Sequence, residues 1–241
     1  MKEIKIIALL ILVATIAHAQ PMTGTELLNR AIKYHDPKAQ WSEFSGILDI
    51  SMERPGRPSR KSIVTADLPN AYYNMYTKST ESETVFELDG DDCAISWNGK
   101  TEFTKEEVKV NRLTCERATF MRNYYIYLYG LPMKLKDPGT NVHEEVQVKT
   151  FKGKQYNVLK VTYDEAVGKD IWYFYFDQKT NAMEVYQFFH DEAKNDGEYI
   201  LLSGELKYGK MKIPMNRTWY TNHEEELLGT DKLKGISKLK N

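Results

Sequence analysis

Over most of the chain, apolar side chains recur at every second position, the spacing of a strand that buries one face. Phe44, Gly46, Leu48, Ile50 and Met52 set this rhythm against mostly polar neighbours. Further strands are predicted at residues 62–68, 71–77, 84–88 and 93–97, and then at 142–151, 155–163, 170–176, 183–190, 198–208 and 211–221. Arg54-Pro-Gly-Arg-Pro58 is expected to be a loop. Asp89-Gly90 and Asn98-Gly99 are hairpin signals, because Gly, Asn and Asp tolerate the positive φ that such turns need. Lys152-Gly153-Lys154 and Gly209-Lys210 mark later hairpins. Two segments depart from the rhythm. Thr23-Gly-Thr-Glu26 is a capping box opening a short helix with Leu27, Leu28, Ala31 and Ile32 on one face, stopped by Asp36-Pro37. A second box, Thr104 to Glu107, opens a helical region running through Ala118, Met121, Tyr125 and Leu128 to Gly130-Leu-Pro132. Strands joined by tight turns predict an antiparallel meander, not a parallel sheet with crossover helices.

The front of the chain has a different character. Lys2 and Lys5 precede an apolar run from Ile6 to Ile16 that ends at Ala17-His-Ala19, the pattern of a cleavable secretory signal. The run is too short for a membrane span, and nothing after residue 20 is long and apolar enough to be one. Residues 1–19 are therefore expected to be a signal peptide and residues 20–241 one domain, periplasmic or secreted. No cysteine follows the cleavage point to carry a lipid. Loss of Lys2, Glu3 and Lys5 moves the formal charge from −1 to −2. A near-neutral chain with interspersed signs gives no electrostatic case for nucleic acid or anionic lipid as a partner. Cys93 and Cys115 both lie in the exported part, where a bridge is expected and would contribute about 3 kcal/mol. Two buried thiols are the alternative, and a catalytic cysteine is less favoured than either.

Trp172-Tyr-Phe-Tyr-Phe-Asp177, the turn residues Lys179-Thr180 and the strand Met183-Glu-Val-Tyr-Gln187 resemble the central hairpin of the LolA/LolB-like half-barrels. Residues 198–219 look like the paired long strands that follow it. More closely, Tyr127-Leu-Tyr-Gly-Leu-Pro132 with Lys136-Asp-Pro-Gly139 and Gln187-Phe-Phe-His-Asp191 is similar to an uncharacterised group of exported proteins from Bacteroidota-type bacteria. The resemblance implies a mainly β (α+β) fold, a curved antiparallel half-barrel sheet wrapping a few helices around an apolar cavity. The family's lipoprotein carriers hold a lid over that cavity with an arginine, for which no position here matches. Its receptors are anchored through a cysteine that this chain lacks. What carries over is the fold and the cavity, not lipoprotein trafficking.

On the strand at 170–176, Trp172, Phe174 and Phe176 point one way and Ile171, Tyr173 and Tyr175 the other, so the strand is expected to be covered on both faces. The Trp172 face is assigned to the cavity, since tyrosines favour sites where the hydroxyl stays wet or bonded. Tyr124, Tyr125 and Leu128 from the helix, with Phe188, Met211, Ile213, Met215 and Trp219, complete the expected apolar ligand site. For any single one of them, plain core is the competing role. His190-Asp191-Glu192 is the tightest group of potential acid–base or metal-ligating residues, but neighbours on a strand point to opposite faces, and a solvated loop is favoured. Asp89, Asp91 and Asp92 fit a hairpin turn better than a calcium loop. Tyr34-His35-Asp36 suits a cation at a helix C-terminus. No nucleophile elbow, P-loop or dinucleotide motif is present. The expectation is a monomeric, cofactor-free and metal-free protein binding an apolar small molecule or lipid, with transient contact to membranes or lipoproteins. An exported hydrolase or metal enzyme built on His190, Asp191 and Glu192 is one alternative, and a ligand-free envelope scaffold the other.

Overall fold

The structure, a computed structural model, describes residues 21–239. The signal segment, residues 1–19, lies outside them. Twelve strands form one antiparallel sheet in the order β5-β4-β3-β2-β1-β12-β11-β10-β9-β8-β7-β6. One meander comprises β1 (Ser45–Arg54), β2 (Arg57–Asp67), β3 (Tyr72–Lys78), β4 (Glu83–Asp89) and β5 (Asp92–Trp97). The other comprises β6 (Thr140–Phe151), β7 (Lys154–Tyr163), β8 (Ile171–Asp177), β9 (Met183–Phe189), β10 (Glu198–Tyr208) and β11 (Met211–Thr221). β12 (Leu227–Lys238) joins them by pairing with both β1 and β11. Helix α1 (Gly24–His35) precedes the sheet, while α2 (Lys105–Asn111) and α3 (Cys115–Gly130) stand between the meanders.

Three sequence expectations change. The loop at 54–58 shrinks to the turn Pro55-Gly56, with Arg54 paired to Arg57, because Gly56 takes the positive φ (64°) that reverses the chain. The single helical region is two helices: Arg112 turns left-handed (φ 52°), and Thr114 accepts the N–H of Arg117 to start α3 afresh. β12 is absent from the predicted strands. Its buried positions are Gly229, Asp231 and Leu233, so it has strand periodicity with almost no apolar signal.

The main core lies between the helices and the inner face of the sheet. Leu27, Leu28 and Ala31 of α1 and Met121, Tyr125 and Leu128 of α3 meet Leu48, Val64, Phe174, Phe176 and Ile200 there. β8 is indeed covered twice. On the outer face Tyr173 and Tyr175 join Tyr156, Val158 and Val185 in a second cluster, and their hydroxyls reach Glu192, Gln187 and Glu184. Lysine stems roof this outer cluster, with the Lys149 ammonium 4.0 Å from the Tyr173 ring centre.

α1 is seated by close approach and by one buried side chain. A Cβ on Gly24 would stand 2.0 Å from the His143 carbonyl oxygen, so only glycine lets the helix start against β6. His35 is not the expected helix-end cation. Its Nε2 accepts the Met183 N–H (2.9 Å) and its Nδ1 donates to the Lys212 carbonyl (2.8 Å), so the ring is neutral. Burial pushes its pKa down.

Candidate functional site beneath helix α3

α3 lies against the inner face of the sheet and is tied down near both ends. At its start Cys115 forms a disulfide with Cys93 on β5, the Cα atoms 6.0 Å apart. At its end Gly130 packs on Trp41, where a Cβ would come within 2.5 Å of the indole. Arg217 on β11 donates to the carbonyl of Leu128 (3.1 Å) and to that of Pro214 (2.9 Å). Its guanidinium lies 3.9 Å from the Tyr129 ring centre. An arginine thus holds the helix from a position that the sequence pattern did not single out.

The residues expected to line the cavity are largely brought together. Trp172 stacks on Phe188 (4.8 Å between ring centres) and Phe174 (6.0 Å). Tyr186 links this group to Trp219 (6.2 Å), which faces Tyr124 of α3 (6.3 Å), and Tyr124 meets Tyr125. Leu128, Phe176, Met211 and Ile213 belong to the same core. Met215 belongs to neither apolar cluster and sits beside Gly204. Phe174 and Phe176 have no exposed surface: side chains of the protein itself occupy the space assigned to a ligand. A cleft of about 200 Å³ lies elsewhere, bordered by Tyr34, His35, Met183, Glu184, Glu205 and Pro214.

Polar groups share this interior. Arg217 and Asp231 are cross-strand partners on β11 and β12, and both are buried. Burial raises the pKa of Asp231, against the opposing pull of Arg60 and Arg217. Among the described residues, the hydroxyls of Tyr73, Tyr129 and Tyr186, Nε of Arg60 and Arg217, Nε1 of Trp219 and Oδ1 of Asp231 have no hydrogen-bond partner. Burial raises the pKa of all three phenols. The outer-face tyrosine hydroxyls have partners, whereas those of Tyr73, Tyr129 and Tyr186 in the interior do not. A signal was present in the sequence: Arg217 stands in phase with Met211, Ile213, Met215 and Trp219.

His190, Asp191 and Glu192 do not converge. His190 Nδ1 bonds Asp170 (2.6 Å), which raises the imidazole pKa. Asp191 caps the N–H of Ala193 and pairs with Lys194. Glu192 accepts from Tyr173 and Lys160. Among the described residues, no three His, Cys, Asp or Glu side chains are grouped to hold a metal ion. No helix among them is long and apolar enough to cross a membrane.

A single antiparallel sheet, open between its edge strands β5 and β6 and curled around helices, is the LolA-like half-barrel. The structure is similar to that of a LolA superfamily protein from Nitrosomonas europaea, with a TM-score of 0.54 at 11% identity over 91% of this chain and 94% of that one. It is also similar to a putative outer membrane lipoprotein-sorting protein domain from Vibrio parahaemolyticus, with a TM-score of 0.51 at 10% identity over 90% and 94%. Within that fold, the chain belongs to DUF6503, a family of unknown function whose model matches residues 2–234. No curated protein matches it in sequence.

Proposed function

We propose that this protein is exported and binds an acyl chain, a lipid or a lipidated segment between α3 and the inner face of the half-barrel, as a carrier or chaperone. The observation that carries this reading is the way α3 is mounted. It covers a continuous aromatic surface, Trp172, Phe174, Tyr186, Phe188 and Trp219, and is fastened near its ends by the disulfide and by Arg217. A helix held in this way can lift along its length without leaving the molecule. Hydrocarbon then takes over contacts that α3 makes with the sheet, each buried methylene contributing about 0.8 kcal/mol before the cost of moving the helix. The structural neighbour from Vibrio parahaemolyticus, a putative outer membrane lipoprotein-sorting protein domain, agrees with a lipidated ligand.

Native mass spectrometry of the protein purified from its own cells tests the reading. A co-purifying acyl species, lost when Trp172 and Phe188 are both replaced by alanine in a variant that still folds, is the expected result. A ligand-free protein that also fails to take up a fluorescent fatty acid overturns it.

A further inference from the structure

Lysine and arginine are used differently in this protein. Among the described residues every ion pair contains a lysine or a histidine, and no arginine has a carboxylate within 4.0 Å. The arginines are also gathered. Arg54, Arg57 and Arg60 stand on the β1–β2 hairpin, and Arg112, Arg117 and Arg122 on the α2–α3 segment. The two groups meet, because Arg60 on β2 donates to the Tyr125 hydroxyl on α3; burial, with Arg112 and Arg60 nearby, lowers the pKa of Arg117. The near-zero charge of the whole chain conceals this local gathering.

This basic rim continues inward. Across β2, β1, β12 and β11, Arg60, Met52, Asp231 and Arg217 lie in one cross-strand row. Arg60 Nη2 donates to the Tyr125 hydroxyl at 3.4 Å, while its Nε joins Arg217 Nε, Trp219 Nε1 and three phenols as donors without partners. Among the described residues, the one buried carboxylate oxygen without a partner is Asp231 Oδ1. A buried donor left without an acceptor is costly, and two guanidinium groups share this row with one carboxylate. The complement of such a site is a compact group with several acceptor oxygens and a negative charge, which arginine's planar fork suits better than lysine would. At the rim, Phe120 is 55% exposed and carries the Arg117 guanidinium 4.9 Å from its ring centre, an apolar surface beside the positive charge.

We propose that the row from Arg60 to Arg217, entered past Arg117 and Arg122, receives the oxyanion head group, carboxylate or phosphate, of the acyl ligand. This rests on the carrier reading for the ligand's hydrocarbon part, and the head-group site is separable from it by experiment. The mature protein, residues 20–241, is titrated in a calorimeter with oleate, with oleyl alcohol and with inorganic phosphate. Oleate is expected to bind at least about tenfold more tightly than the alcohol. Arg60→Met and Arg117→Met, each checked for an unchanged melting temperature, are expected to erase that preference and leave the alcohol's affinity in place. Equal affinities for oleate and alcohol, or a preference that survives both substitutions, overturn the head-group site while the carrier reading stands. Phosphate bound in an Arg60-dependent way, with neither chain bound, supports the oxyanion site and removes the carrier reading. No binding of any of the three overturns both.

Discussion

The ring of His35, at the end of α1, accepts the backbone N–H of Met183, at the start of β9, across 148 positions of the chain. With Nδ1 committed to the Lys212 carbonyl, the imidazole ties helix to sheet only while it is neutral. Burial holds its folded pKa below the ordinary value of 6.5, so the unfolded chain binds the proton more readily. The stabilising contribution is complete above about pH 6.5 and is lost as the pH falls toward the folded pKa, by at most about 1.4 kcal/mol per pH unit. Urea unfolding from pH 7.5 to 5 is expected to show this loss in the native protein and a flatter profile in His35→Gln. His190, whose pKa is raised, titrates with the opposite sign in both proteins and cancels in the comparison.

The disulfide closes a 22-residue separation, and loop-closure entropy assigns it about 3 kcal/mol. Denaturation of a Cys93→Ala/Cys115→Ala variant is expected to show a loss of about 2–4 kcal/mol. Amide exchange should rise first at the α3 N-terminus, which the bridge pins to β5. Unchanged exchange there would mean that the bridge holds nothing that the apolar contacts do not.

Two glycines separate close approach from backbone freedom. Gly24→Ala drives a methyl into the His143 carbonyl and is expected to cost about 1–3 kcal/mol. Gly90, in the β4–β5 turn, has positive φ and open space around its missing Cβ, so Gly90→Ala is expected to cost only about 1 kcal/mol. Thermal melts of the two variants rank them.

Arg217 and Asp231 form a cross-strand pair inside the protein. Arg217→Leu frees α3 at Leu128 and strips Asp231 of a cationic neighbour, for an expected loss of about 3–5 kcal/mol. Adding Asp231→Leu should recover a large part of it, since the second change removes the uncompensated charge. If the two losses simply add in urea titrations, the side chains are not coupled.

Those two residues also show where the sequence could be read and where it could not. Strands with alternating apolar residues were legible almost to the residue: β10 and β11 match their predicted spans. The capping boxes of Thr23 and Thr104 mark the starts of α1 and α2. The break at Arg112 was not legible, because a left-handed arginine carries no compositional mark of its own. β12 was missed because it turns glycine and aspartate inward, and a hydropathy pattern registers neither. The candidate site suffered from the same filter. Selecting apolar in-phase residues found Trp172, Phe188 and Trp219 but passed over Arg217, Asp231 and Arg60, whose inward placement follows from sheet register and not from their chemistry.

β12 has a further consequence, for the order of assembly. It is the last strand in the chain and the sixth in the sheet, and the pair Gly46–Lys238 spans nearly the whole described sequence. Each meander can zip up from its own hairpins, but the two have no direct strand pairing with each other, and their union waits for β12. The slow step of folding is therefore expected to be this long-range closure. Until it happens, β1 and β11 are exposed edges, each a template for a strand from another copy. Whatever delays the arrival of the C-terminal strand prolongs the time in which this protein is open to wrong partners.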